Sequence, residues 1–279
     1  PYINSEPERG DVVIFKFPDN REVYYVKRVI GLPGETVNVV DGKVYINGNK
    51  TFNTSADRAP YMLCVCRSGI NENPYKDFSM YLFPMDRPGI TMEKLDKIGN
   101  NMCGTYEVHL DNVECEESDL VGVEGKGFYQ LMKNFEVERS YIVAEQVGLA
   151  QAALEDAAKY ANQRIAFGKP ITRLQMIQEL LADMEIKVQN TRNMLYKTLW
   201  MMDNDQPVQL ESAMLKRYGC KACWEVADSA LQIYAGLGYT TEVRVGRLWA
   251  DMRGNMFGGG THEVMAYIAG RQVAKKYAE

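Results

Sequence analysis

The chain has 279 residues, of which 46% are hydrophobic, and carries a formal net charge of −5 at pH 7. This length can bury one or two hydrophobic cores, and the acidic balance lacks the basic footprint of a nucleic-acid-binding protein. No apolar run approaches the roughly 20 residues of a membrane helix, and the polar start PYINSEPERGD contains no signal-peptide core. We therefore expect a soluble, cytoplasmic protein without nucleic-acid or membrane partners. The absent initiator Met indicates a processed or partial chain.

The first part of the chain has the pattern of a small antiparallel β-region. Val13, Phe15 and Phe17 share one face of a strand, because successive side chains of a strand point to opposite faces. Turn residues divide the region into four strands, predicted at 12–17, 23–30, 36–40 and 43–46, with turns at 19–20, 32–34 and 41–42. Short strands separated by Gly, Asn, Asp and Pro then follow at 61–66, 78–84, 90–93 and 105–110.

The second half of the chain has helical periodicity. Apolar residues recur at spacings of three and four at Val147, Ala150, Leu154, Ala157, Ala158 and Ala161. The small residues among them predict close helix packing, and Gly168-Lys169-Pro170 is expected to end this helix.

Further helices are expected after this one. A helix over 172–202 carries a heptad-like stripe of Ile177, Leu181, Met184, Val188, Thr191, Leu195, Thr198 and Met202. A third helix is expected to end at Ala235-Gly236, followed by a short helical segment over 243–252 and a terminal helix from Thr261. The predicted fold class is α+β, with an N-terminal antiparallel β region followed by an antiparallel four-helix bundle.

The six cysteines and two histidines of the sequence do not form a metal-binding motif. Cys64 and Cys66 share a strand face, and Cys220 and Cys223 lie within a helical pattern. Because no second CxxC motif or histidine partner accompanies them, we expect reduced core thiols and no metal site.

Four segments in order, ERSYIVA, GLAQAALEDAAKYANQRIAFGKPI, QIYAGLGYTTE and GGGTHEVM, resemble the C-terminal half of acyl-CoA dehydrogenases. The similarity covers about residues 42–279 and is greatest to the branch that includes crotonobetainyl-CoA reductase. The resemblance implies an FAD-dependent oxidoreductase of fatty acid metabolism, acting on an acyl-CoA thioester. It also implies an electron-transfer flavoprotein as partner and a homodimer or homotetramer.

The same resemblance implies a catalytic carboxylate. The reaction removes an α-proton while a hydride leaves the β-carbon, so a desolvated carboxylate is needed as base. Many members place this glutamate just before the Gly-Thr of their C-terminal motif, where this chain has Gly259. Other members place it on the first bundle helix, at the position of Glu138. Glu138 is therefore the candidate base, with Glu136 near the pantetheine and Arg139 near the acyl pocket. From the residues alone, a structural ion-pair network of Glu138 and Arg139 is the alternative.

The same motifs also imply which residues of this chain contact the flavin. The resemblance assigns cofactor contacts to Phe52, Thr54, Arg164, Phe167, Gln175, Gln232, Ala235, Gly236, Thr261 and Glu263. Phe52 would stack on the flavin ring and Thr54 would donate a hydrogen bond. On its residue type alone, Phe52 is instead a buried strand aromatic.

The N-terminal strands resemble a different family. RGDVVIFKFP and YYVKRVIGLPGE are similar to type I signal peptidases, whose lysine general base corresponds to Lys27. That mechanism needs a serine nucleophile, which this sequence does not supply, so Lys27 as an ordinary strand lysine is the alternative. The switch between the two families falls within about 42–50, and we interpret the chain as a chimera. The domains are 1–50 (peptidase-like, overlapping at 42–50), 51–124 (acyl-CoA dehydrogenase-like β-domain portion) and 125–279 (helical bundle).

Three functions follow from these patterns. The first is the flavoenzyme activity, expected to be impaired because the N-terminal helical domain of the family has no counterpart here. The second is a peptidase fragment with a Ser/Lys mechanism, and the third is a non-catalytic helical oligomerisation module.

Overall fold

The computed structural model describes residues 12–17, 20–28 and 43–278, the first two ranges as strands only. The chain divides into two compact units. The first unit comprises Pro1–Leu95 and Gly104–Gly125, and the second comprises Asp96–Cys103 and Lys126–Glu279.

The first described elements of the first unit are two antiparallel strands. Strands β1 (Val12–Phe17) and β2 (Asn20–Arg28) pair with Val13 opposite Lys27, and the register shifts at Lys16 and Phe17. The first predicted strand is confirmed, and the second is confirmed over 23–28. It begins three residues earlier than predicted, so Asn20 belongs to the strand and not to a turn, while residues 19 and 29–30 lie outside the described residues. The predicted strand at 36–40 and the turns at 32–34 and 41–42 lie outside the described residues.

Five further strands build two antiparallel sheets in the first unit. They are β3 (Val44–Thr54), β4 (Tyr61–Arg67), β5 (Phe78–Pro84), β6 (Ile90–Leu95) and β7 (Thr105–Cys115). One sheet has the order β3-β7-β6 and the other pairs β4 with β5. Alternate residues of these strands form an apolar core that includes Phe83, Val108, Val113 and Cys115. The four strands predicted between 61 and 110 are confirmed, and β7 continues five residues beyond its prediction.

The second unit is a helical bundle. Its helices are α1 (Gly127–Gln163), α2 (Gln175–Asp203), α3 (Gln209–Tyr234), α4 (Val245–Gly254) and α5 (His262–Lys276). The α+β class, with antiparallel strands followed by a helical bundle, is confirmed. No helix within the described ranges combines the length and apolar character needed to cross a membrane.

Small side chains allow α1, α2 and α3 to approach closely. A Cβ added to Gly219 on α3 would lie 2.8 Å from both Val143 Cγ1 on α1 and Thr191 Cγ2 on α2. On α1 the residues Ala150, Ala153, Ala157 and Ala161 are fully buried. The predicted close packing of this helix face is confirmed, although Ala158 is only half-buried.

The end of α1 differs from the prediction. The helix ends at Gln163, and Arg164 is extended with φ −70° and ψ 119°. Strands β8 (Ile165–Ala166) and β9 (Lys169–Pro170) then pair around Phe167 and Gly168, whose φ angles are 51° and 76°. The prediction that this helix ends at Gly168-Lys169-Pro170 was therefore wrong, because Lys169 and Pro170 pair with β8 in a short hairpin and Gly168 lies in its turn.

All six cysteines are free thiols. The Sγ atoms of Cys64 and Cys66 lie 3.4 Å apart on β4, so the two side chains share a face as expected. Burial raises the pKa of the Cys220 thiol to about 11 and of the Cys223 thiol to about 12. Within the described part of the chain, no group of three or more His, Cys, Asp or Glu side chains could hold a metal ion.

Candidate functional site

An acid-rich turn of α1 carries the predicted catalytic residues. Arg139 is buried, with only 4% of its surface exposed, while Glu136 and Glu138 are half-buried beside it. Burial lowers the pKa of Arg139, and Glu136 and Glu138 partly offset this shift. Burial also raises the pKa of the Glu136 carboxyl, against the opposing effect of Arg139 and Lys133. This turn therefore combines a buried cation with two carboxylates of limited solvation.

The segment Asn255–Thr261, which we call the glycine loop, connects α4 to α5 next to this turn. Gly259 and Gly260 have φ angles of +64° and +110°, in the region that favours glycine. The Nε atom of Arg139 donates to the carbonyl oxygen of Gly259 at 3.2 Å. A Cβ at Gly259 would lie 2.8 Å from Ile142 Cδ1 on α1. The glycine loop thus packs directly against the helix that carries Glu138.

Lys216 on α3 completes this arrangement, and the sequence-based prediction missed it. Its side chain is fully buried, and Nζ donates to the carbonyl oxygens of Asn255 at 2.7 Å and Gly260 at 3.4 Å. Burial lowers the pKa of Lys216, and the neighbouring Cys220 thiol opposes this shift; the Arg139 charge lowers the pKa further, and Glu138 raises it to a smaller extent. A signal existed in the sequence, because Lys216 falls on the face of α3 that also carries Ala213 and Cys220.

The predicted flavin contacts at the α1–α2 connection are close to one another. Arg164 is exposed at the end of α1, and Phe167 is 90% exposed at the hairpin turn. Gln175 is exposed as the first residue of α2. The backbone N–H of Ile171 donates to the carbonyl oxygen of Arg164 at 2.9 Å and so closes this connection. The fold therefore presents a cation, an aromatic ring and an amide on one short surface segment.

A second group of predicted contacts lies where α3 ends. Gln232, Ala235 and Gly236 are exposed there, and Ala235 has a φ of +50°. The ring of Tyr234 stacks on Tyr160 of α1 with a centroid distance of 4.1 Å. This stacking holds the end of α3 against α1.

The start of α5 holds the last two predicted contacts. The hydroxyl of Thr261 caps α5 by accepting from the backbone N–H of Val264 at 3.3 Å. A hydrogen bond from its own backbone N–H and the Thr261 hydroxyl lower the pKa of Glu263. Glu263 also borders an open groove of about 690 Å³ between α2, α3 and α5, which Arg217, Lys221, Glu225 and His262 line.

Three predicted residues belong to the first unit. Phe52 is 78% exposed, so the alternative reading of it as a buried aromatic was wrong. It lies at an irregularity of β3 with a φ of +65°, an uncommon angle for a residue other than glycine. Thr54 is exposed at the end of β3, and Lys27 lies in β2.

The structure brings together some of the predicted residues and separates others. Glu138, Arg139 and the glycine loop form one cluster with Lys216. Arg164 directly follows the end of α1 and is 26 positions after Glu138, which corresponds to about 39 Å along a helix that rises 1.5 Å per residue. The cluster around Glu138 and the α1–α2 connection therefore lie far apart within one chain.

Residues 1–83 match the family model "Signal peptidase, peptidase S26". Residues 125–274, more than half of the chain, match the family model "Acyl-CoA dehydrogenase, C-terminal domain". The chain thus carries a signal-peptidase-like segment in front of its bundle.

Individual proteins match over most of the chain. It is 52% identical over 237 residues to the probable acyl-CoA dehydrogenase YdiO of Escherichia coli K12, covering 85% of this chain and 62% of the relative. The solved structure of butyryl-CoA dehydrogenase from Megasphaera elsdenii matches with a TM-score of 0.80 and 30% identity, over 84% of this chain and 61% of that one. An acyl-CoA dehydrogenase from Slackia heliotrinireducens matches with a TM-score of 0.75 and 37% identity, over 83% and 61%. The chain therefore spans less than two thirds of the length of these relatives, and it belongs to the acyl-CoA dehydrogenase family.

Proposed function

We propose that the chain is an FAD-dependent oxidoreductase that oxidises or reduces the α,β-bond of an acyl-CoA thioester, with Glu138 as its base. The observation that carries this proposal is the cluster of Glu138, Arg139 and Lys216 around Gly259. Gly259 occupies the position where many family members have the base, and it has no side chain that could accept a proton. Glu138 supplies a half-buried carboxylate on the adjacent face of α1.

The role of Glu138 follows from its surroundings. A base that removes an α-proton acts best in a partly desolvated site near positive charge, which stabilises the negative charge that develops on the thioester. Arg139 provides buried positive charge beside Glu138. In this proposal, Glu138 accepts the proton, Arg139 borders the acyl chain, and Glu136 lies near the pantetheine.

The exposed residues named above fit a flavin dinucleotide. Arg164 can pair with pyrophosphate oxygens through its guanidinium, and the exposed ring of Phe167 offers a stacking surface. A bound flavin would accept the hydride from the β-carbon of the substrate. The remaining proposed contacts are Phe52, Thr54, Gln175, Gln232, Ala235, Gly236, Thr261 and Glu263.

The distance between Glu138 and Arg164 along α1 indicates that residues of a second chain contribute to the proposed flavin site. Because Arg164 lies about 39 Å from Glu138 along the helix, it would serve a flavin bound by another copy. We therefore propose a homodimer or homotetramer with composite flavin sites. An electron-transfer flavoprotein is the proposed redox partner. The peptidase alternative has less support, because its family model covers only residues 1–83.

The test is the visible spectrum of the purified protein with added FAD, followed by anaerobic addition of butyryl-CoA. We expect retained flavin to be bleached, and Glu138→Gln to slow bleaching by roughly two or more orders of magnitude, as expected for loss of a general base. Glu155→Gln, an exposed residue of the same helix, is the matched control and should bleach like the wild type. Glu136→Gln should instead raise the butyryl-CoA concentration needed for half-maximal bleaching.

Two outcomes would contradict the proposal. Absence of retained flavin at saturating FAD would exclude flavin chemistry for this chain. Unchanged bleaching in Glu138→Gln would show that another group takes the proton.

A further inference from the structure

Lys216 is a buried cation that the proposed reaction does not use directly. It lies on α3 with no exposed surface, its Nζ donates to two backbone carbonyls, and it also hydrogen-bonds the Cys220 thiol on the same helix. Removing an ammonium group from water costs several kcal/mol. Packing alone would be served as well by an apolar side chain of similar length. The position of the charge therefore calls for a specific explanation.

The two carbonyls mark the two ends of the glycine loop. Asn255 is the residue that caps the C-terminus of α4, where the helix dipole is negative and attracts a cation. Gly260 directly precedes Thr261, which caps the N-terminus of α5. A single ammonium group thus connects the end of one helix to the start of the next.

Arg139 contacts the same loop at Gly259. Its Nε atom bonds to the carbonyl oxygen of Gly259, between the two positions that Lys216 holds. Gly259 and Gly260 have no Cβ, so the loop backbone is intrinsically free to adopt many conformations, including the positive φ angles of these two residues. Two buried cations from α1 and α3 therefore restrict a segment that its own sequence leaves flexible.

We propose that Lys216 is a positioning residue that fixes the glycine loop against the turn of α1 carrying Glu138. Its effect on catalysis rests on the proposed function, whereas its effect on the loop does not. In Lys216→Met, the loop loses the hydrogen bonds at both of its ends. The loop then moves relative to Glu138, and Thr261 and Glu263 at the start of α5 move with it.

The first test measures the loop without using activity. Hydrogen–deuterium exchange followed by mass spectrometry compares peptides covering 255–265 with reference peptides covering 150–161 of α1. We expect Lys216→Met to speed exchange of the first set at least about tenfold, as expected for loss of hydrogen bonds to a charged group. The reference peptides should exchange as in the wild type. Lys221→Met, which changes an exposed lysine of the same helix, is the matched control and should leave both sets unchanged.

A second variant distinguishes an effect on the loop from a general folding defect. Lys216→Gln retains a hydrogen-bond donor without the charge, so its loop should exchange at a rate between those of the wild type and Lys216→Met. Unchanged exchange at 255–265 in both variants would overturn the proposal. A uniform increase across the bundle would also overturn it, since that result indicates a general role in stability.

The second test uses the flavin-loaded protein and saturating butyryl-CoA. We expect Lys216→Met to retain its flavin band and to bleach at least about tenfold more slowly than the wild type. Faster loop exchange with unchanged bleaching would overturn the role in catalysis. If the wild type itself is not bleached, the proposed function fails, while the exchange measurement still decides whether Lys216 positions the loop.

Discussion

At the scale of single residues, the backbone of Gly259 restricts where a carboxylate can be placed. Its φ of +64° lies in the left-handed region, which costs an L-residue about 1–2 kcal/mol. A side chain there would also meet Ile142 Cδ1 at 2.8 Å from its Cβ. This position therefore disfavours a glutamate, which agrees with a base located on α1.

A substitution at Gly259 tests this restriction. We expect Gly259→Ala to lower the free energy of unfolding by about 1–3 kcal/mol, because it adds backbone strain and a contact with Ile142. Gly270→Ala is the control: Gly270 lies within α5 with no atom within 4 Å of an added Cβ. It should raise the free energy of unfolding by about 0.5–1 kcal/mol. Urea titration followed by circular dichroism measures both, and equal midpoints for the two variants would contradict the expectation.

At the scale of elements, an ion pair closes the first unit. The guanidinium of Arg87, between β5 and β6, donates to both carboxylate oxygens of Asp119 at 2.7 and 2.9 Å. Asp119 also accepts from the backbone N–H of Glu116 at 2.7 Å, just after β7. The Arg87 hydrogen bonds hold the pKa of the Asp119 carboxyl below its ordinary value. The turn before β6 is thereby tied to the segment that follows β7.

This pair predicts a pH-dependent contribution to stability. Because the pKa of Asp119 is lower in the folded state, its contribution is complete above the ordinary pKa of about 3.9 and is lost as pH falls toward the folded-state pKa. Asp119→Asn should therefore destabilise the protein by about 1 kcal/mol at pH 7, and by less at pH 3.5. Urea titrations at both pH values check this, with the exposed Asp111→Asn as control. A constant difference between the wild type and Asp119→Asn would contradict the assignment.

At the scale of the whole molecule, the length of α1 and an exposed helix face both bear on assembly. Ile186, Tyr196 and Trp200 on α2 are more than half exposed. Their spacing places them within about 80° of one another around the helix axis. Such an apolar stripe on a surface helix is typical of a contact between protein chains. A second copy of this chain is the partner that the proposed composite flavin site requires.

The mass in solution tests this assembly. Size-exclusion chromatography with light scattering should give two or four times the chain mass of 31.7 kDa. Tyr196→Glu with Trp200→Glu should shift the mass toward that of a single chain, because buried carboxylates in an apolar contact are costly. Ile70→Glu, at a residue of the first unit that is 93% exposed, should leave the mass unchanged. A wild-type protein that elutes as a monomer would contradict the proposed assembly.

The sequence by itself determined the local elements. The Gly, Asn, Asp and Pro residues between short segments predicted the strands at 61–66 and 78–84. The spacing of three and four predicted the buried stripe of α2, since this period follows from the geometry of the helix backbone alone. The end of α1 was missed because the pairing of Ile165 with Pro170 stabilises a hairpin where the pattern still allowed a helix. The exposure of Phe52 was left open because residue type gives only an average burial.

Only the tertiary structure shows which residues come together in the candidate site. Arg139 and Gly259 are 120 positions apart, and Lys216 and Gly260 are 44 apart, so no local period relates them. Their hydrogen bonds depend on how α1, α3 and the glycine loop pack together. The sequence was sufficient to identify Glu138 as a candidate base, because the order of the family-like segments aligns this residue with a base position of the family. The buried cations around Glu138 became visible only in the folded chain, because packing between helices sets which distant residues meet.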